Sequence, residues 1–122
     1  MQPDWTDDQP IYRQLRDKVV MAILDGTLGE GEALPSVRSV AVDMQVNPIT
    51  VSKAYQELVA DNLVEKRRGL GMFVIEGART VLLAHEKDKF LQEEWPRIVS
   101  TIERLGLDVA QLLKNAPSQG GH

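Results

Sequence analysis

The chain has 122 residues, 43% of them hydrophobic and 26% charged, with a formal net charge of −4. That composition suits one folded domain with a modest core, plus an appendage. With no cysteine, a disulfide framework, a thiolate nucleophile and a zinc finger are excluded, and no run approaches the roughly 20 apolar residues of a membrane span.

Residues 1–9 are polar and read as a flexible lead-in. Asp4, Asp7 and Asp8 make this start acidic, where a signal peptide would be basic and then apolar, so a cytoplasmic location is expected. Pro10 then opens a helix in which Ile11, Leu15, Val19 and Ile23 recur every four residues, with Tyr12 and Ala22 beside them. Gly26 suits the position after its end. The run from Gly26 to Ala33 carries Gly26, Gly29 and Gly31. It lacks both the following Lys-Ser/Thr and the preceding strand of a phosphate cradle, and is expected to be a turning loop.

A second helix is predicted over Pro35–Met44, with Ser36 as its cap and Val37, Val40, Ala41 and Met44 as its inner face. Only Gln45 and Val46 separate it from a third helix. There Asn47 is a strong N-cap type, and Pro48 stands at the first helical position, where a missing N–H costs nothing. Val51, Ala54, Tyr55 and Leu58 make an apolar face; Ile49, Ser52, Lys53 and Gln56 fall on the opposite side. Two short helices with so tight a turn suggest helix-turn-helix. Leu63–Arg67 and Met72–Ile75 read as strands joined by the turn residues Arg68-Gly69-Leu70-Gly71, a hairpin or wing.

Taken together, Gly26-x-Leu28-x-x-Gly31-x-x-Leu34-Pro35-Ser36-x-Arg38, Thr50-Val51-x-x-Ala54-Tyr55-x-x-Leu58 and Gly69-x-Gly71-x-Phe73-Val74 resemble the winged helix-turn-helix of the GntR family of bacterial transcription regulators. Asn47-Pro48 before Thr50-Val51, with a short helical tail, is similar to the YtrA-type subfamily. The resemblance implies a mainly α fold with a small β-hairpin: a winged helix-turn-helix over residues 10–77, a helical dimerisation tail over 78–115, and a disordered end over 116–122. It also implies a sequence-specific DNA-binding regulator, expected to be a repressor, acting as a homodimer on a palindromic operator in double-stranded DNA.

Within that resemblance, Arg38 matches the family's DNA-contacting arginine, and its guanidinium fork suits guanine or phosphate. Asn47, Ile49, Thr50, Ser52 and Lys53 carry over from the recognition helix, with Ile49 able to touch a thymine methyl. Where many members begin this helix with an arginine, this chain has Pro48, which cannot donate. Arg67, Arg68 and Gly69 mark the wing tip and are expected at the minor groove. Over Leu34–Ile75 five Lys or Arg stand against four Asp or Glu, so this stretch is weakly positive within an acidic chain.

In the tail, Leu91, Trp95, Ile98, Ile102 and Leu105 form a heptad seam of the kind that joins two helices. It is assigned to dimerisation, with a kink expected at Pro96. Gly106 stops that helix, and Asp108 with Gln111 resembles a capping box for a last one over Val109–Lys114. The tail is small for an enclosed ligand pocket, so an effector, if one exists, is expected at the dimer interface. His85-Glu86-x-Asp88 does not gather three ligands on one helical face, and no nucleophile–base pair is visible. Neither an enzyme nor a metal or cofactor is expected. The remaining alternative is a winged helix used for protein contacts without DNA.

Overall fold

A computed structural model describes residues 5–117. Its elements are α1 (Ile11–Leu24), α2 (Val37–Met44), α3 (Pro48–Ala60), β1 (Val64–Arg67), β2 (Gly71–Val74), α4 (Ala78–Lys89), α5 (Trp95–Arg104) and α6 (Val109–Lys114), with a π-helical segment Phe90–Glu94 between α4 and α5. The chain forms two compact units that divide between Leu83 and Ala84. The division falls inside α4 rather than after Gly77, because Ala78 and Leu82 belong to the core of the first unit.

That core gathers one face of each helix against the hairpin. Leu15 and Ile23 of α1, Val40 and Ala41 of α2, and Val51, Ala54, Tyr55 and Leu58 of α3 pack with Val64 and Val74 of the strands. Val51, Ala54 and Leu58 are fully buried. At about 1.5–3 kcal/mol for each large aliphatic side chain taken from water, this face of α3 holds the helix far more firmly than its intrinsic propensity could. The Tyr55 hydroxyl donates to the Pro35 carbonyl at 2.8 Å, tying α3 to the start of α2. Burial pushes this phenol up to about 12, so it stays a neutral donor.

The lead-in is not loose where it is described. Gln14 of α1 is buried and donates to the carbonyls of Thr6 and Gln9 at 2.8 and 2.7 Å, while its own carbonyl accepts from Thr6 N–H at 2.9 Å. A buried amide must find partners, and residues 5–9 supply them; residues 1–4 of the expected lead-in lie outside the described residues.

The glycine-rich run also does more than turn. The strands pair antiparallel with Val64 opposite Val74 and Arg67 opposite Gly71. Along the other edge of β2, Gly31 N–H donates to Val74 O at 2.8 Å, Val74 N–H to Glu32 O at 2.9 Å, and Leu34 N–H to Met72 O at 2.8 Å. Residues 31–34 thus act as a third, outer strand that satisfies the backbone groups of β2.

In the second unit the interruption expected at Pro96 takes a particular form. A proline has no N–H, and its ring crowds the carbonyl four residues back, here that of Gln92. The helix widens just ahead of it into a π turn, with Trp95 N–H donating to Phe90 O. The extra residue breaks the heptad phase. Leu91 and Leu105 are exposed, Ile98 is 40% exposed, Trp95 is half-buried and Ile102 is buried, so the five do not form one uniform stripe. Gly106, at φ +68°, ends α5 with its own N–H on Glu103 O and that of Leu107 on Ile102 O. Asp108 caps α6 by accepting from Ala110 N–H at 2.9 Å; among the described residues no bond returns from Gln111, so the capping box is half made. Ala116 and Pro117 have no regular structure, and the rest of the expected disordered end lies outside the described residues.

Candidate DNA-contacting surface

Three local features set this surface: the start of α2, the start of α3 and the hairpin tip. At α2, Ser36 accepts from Ser39 N–H at 3.1 Å, and Arg38 stands exposed in the first turn. The two-residue connection to α3 is made by Gln45 in the left-handed conformation (φ 56°, ψ 48°) and by Val46 N–H on Ala41 O. At α3, Asn47 Oδ1 accepts from Ile49 N–H at 2.8 Å, with Pro48 at the first helical position. A cap of this kind is worth about 1 kcal/mol. The Asn47 side-chain N–H groups make no hydrogen bond among the described residues.

Beyond the cap, Ile49 is 76% exposed, Lys53 is exposed, and Thr50 and Ser52 are half-buried. Lys53 does not swing freely: its ammonium lies 4.2 Å from the ring centroid of Tyr12, on the first turn of α1. Sequence spacing within α3 could not reveal that partner. The acidic residues at the far end of α3, Glu57 and the C-cap Asp61, are paired with α1. Arg16 of α1 pairs with Glu57 at 3.6 Å and with Asp61 at 2.5 Å, so neither carboxylate faces outward unopposed.

The hairpin separates two neighbouring arginines. Arg67, the last residue of β1, donates through Nε to Glu65 at 3.0 Å and lies 4.2 Å over the Phe73 ring. The tip proper is Arg68, Gly69 and Leu70, closed by Leu70 N–H on Arg67 O at 2.8 Å. Gly69 has φ +78°, and a Cβ there would meet nothing within 4 Å, so the backbone is bare on that side. Among the described residues neither Arg38 nor Arg68 forms an ion pair. The exposed Arg38, α3 start and Arg68 belong to one unit, whereas the seam residues lie in the other. Leu70, 72% exposed at the tip, was not among the expected contacts. Its signal in the sequence was a large apolar residue between two glycines in a turn.

The family model for bacterial regulatory proteins of the gntR family matches residues 11–74, from the first residue of α1 to the last of β2. The chain belongs to the GntR family. It is similar to the uncharacterised regulator YhcF of Bacillus subtilis strain 168, 34% identical over 93% of each chain. It is also 33% identical to the transcriptional repressor YtrA of the same strain, over 92% of this chain and 85% of that one. The second match runs through the tail as well as the winged helix, in keeping with the YtrA-type branch of the family. Among solved structures, a GntR family regulator from Listeria monocytogenes superposes with a TM-score of 0.73, at 27% identity and covering 90% of this chain and 95% of that one. This GntR member is thus a winged helix-turn-helix, DNA-binding transcription regulator. Among the described residues no helix is long and apolar enough to cross a membrane.

Proposed function

We propose that this GntR member is a cytoplasmic repressor that binds a palindromic operator in double-stranded DNA as a homodimer, acting by occupancy and not by catalysis. The observation that carries this reading is the start of α3. Its capped end is polar and exposed, Arg38 stands free on the neighbouring helix, and Glu57 of α3 and its C-cap Asp61 pair with Arg16 of α1. A helix presented in this way fits a major groove. Arg38, Asn47, Ile49, Thr50 and Ser52 read base edges. Lys53 and Arg68 meet phosphate or the minor groove, with Gly69 allowing close approach and Arg67 contributing from one step behind the tip. That YtrA is a repressor supports the direction of control.

Dimerisation is assigned to the helical tail over residues 78–115, in whose part beyond Leu83 Leu91, Ile98 and Leu105 lie exposed beside the partly buried Trp95 and the buried Ile102. Two half-sites joined in this way bind at high effective concentration. An electronegative chain with so few phosphate contacts per copy depends on that gain. The test is selection of genomic fragments by the purified protein, followed by binding across a salt series and a reporter carrying the selected site. Palindromic fragments, affinity that falls with salt, and lowered reporter output support the proposal. Affinity indifferent to both sequence and salt would overturn the DNA reading, and raised output the repressor reading.

A further inference from the structure

The two most exposed large apolar side chains of the first unit are Ile49 at 76% and Leu70 at 72%. Each stands at the leading end of an element that approaches DNA. Ile49 has a role in the major groove, as a partner for thymine methyls. Leu70 has no such role, and folding does not explain it. It lies largely in water, and its backbone N–H closes the turn whatever its side chain. Both flanking residues are glycines with positive φ, at +78° and +114°, and nothing lies within 4 Å of where a Cβ would sit on either. Turn positions are dominated by Gly, Pro, Asn, Asp and Ser. Here one large apolar side chain projects from bare backbone next to the exposed cation Arg68.

We propose that Leu70 is a specificity-determining residue: it lies against the floor of the minor groove beside each half-site and excludes the guanine 2-amino group there. In that groove A·T and T·A pairs present only acceptors, whereas a G·C pair adds the N2 amino donor. A leucine covering the amine shuts out water and offers no acceptor, so the donor is left unpaired. Arg68 acts in the same direction, since a narrow A·T-rich groove concentrates negative potential. The inference rests on the wing lying in the minor groove, as in the proposed function.

The experiment uses the full chain and its selected operator. Each base pair flanking the half-sites is changed in turn to A·T, G·C or inosine·cytosine; the last keeps the major-groove face of G·C but lacks the 2-amino group. At the pair beneath the wing, the unaltered protein is expected to bind A·T and inosine·cytosine about tenfold more tightly than G·C. Leu70→Ala, at an exposed tip where folding is indifferent, is expected to shrink that ratio to about twofold. Inosine·cytosine behaving like G·C at every flanking pair, or Leu70→Ala keeping the whole preference, overturns the proposal. Arg68→Ala separates the two levels. If it lowers affinity and salt dependence while Leu70→Ala changes nothing, the wing is on the DNA and only the role of Leu70 fails. If Arg68→Ala is also silent, the minor-groove placement fails and the proposal with it.

Discussion

The two units handle apolar surface in opposite ways. The first closes a core from three helices, a hairpin and the start of α4, and two of its most exposed large apolar side chains, Ile49 and Leu70, lie on the elements proposed to approach DNA. In the second, Ile102 is buried while Phe90, Leu91, Ile98, Leu105, Leu107 and Leu113 are all at least 40% exposed. A unit that leaves so much of its apolar surface in water has not finished burying it. On the proposed reading, the first unit folds and presents, and the second associates. Different substitutions should break these two properties independently.

The largest effect is expected from a charge in the second unit. Ile98→Asp places an unpaired carboxylate in the proposed interface, at a cost of several kcal/mol when the interface closes over it. Sedimentation should report a folded monomer, with binding to the full palindrome reduced to that of one half-site, while the near-ultraviolet spectrum of the first unit is kept. A variant that stays dimeric would erase the contrast between the units. The complementary change is Leu58→Ala, at a fully buried position of α3. It should lower stability by about 2–5 kcal/mol in urea denaturation and leave the dimer dissociation constant alone below the transition.

Two further changes act within the first unit, affecting neither fold nor association. Arg38→Ala should weaken operator binding by roughly 1–3 kcal/mol per half-site and relax preference at one base pair in each, read by fluorescence anisotropy on substituted operators. Smaller still is the difference between the adjacent arginines. Arg68→Ala should lower the slope of log affinity against log salt by about 1 for each phosphate that the variant leaves unneutralised. Arg67→Ala should change that slope less, because its guanidinium is already committed to Glu65 and Phe73. Equal slopes for the two variants would mean that the Glu65 pair opens on DNA.

The alkaline limit offers a check on the core itself. The Tyr55 phenol titrates near 12 when folded, against about 10 when exposed. The unfolded chain therefore releases this proton first as pH rises. The contribution to stability is whole below pH 10 and is lost as pH climbs towards 12. Tyr55→Phe should be less stable at neutral pH, since the Pro35 carbonyl loses its donor, and its alkaline decline should be shallower. Denaturation midpoints measured across that pH range would show both.

Much of the winged helix was legible because its signals are local. Asn47-Pro48 caps and starts α3 through bonds spanning two residues, and Val51, Ala54, Tyr55 and Leu58 share a face by helical spacing alone. The hairpin followed from strand-like runs around a glycine turn, and Gly106 stops α5 through its own backbone conformation. The family resemblance rested on these same short motifs, so it needed no knowledge of the fold.

What tertiary structure alone decided are the partnerships between distant residues. Residues 31–34 look like a glycine loop until β2 offers them an unpaired edge. Lys53 looks free on α3 until Tyr12, from another helix, comes under its ammonium. Arg67 and Arg68 are alike as neighbours in sequence, but the ladder sets one beside Glu65 and Phe73 and leaves the other at the tip. Leu70 could be seen to be apolar, but not to be uncovered. Local propensity selects the elements over a few residues; which side chains remain available for DNA depends on what the rest of the fold brings against them.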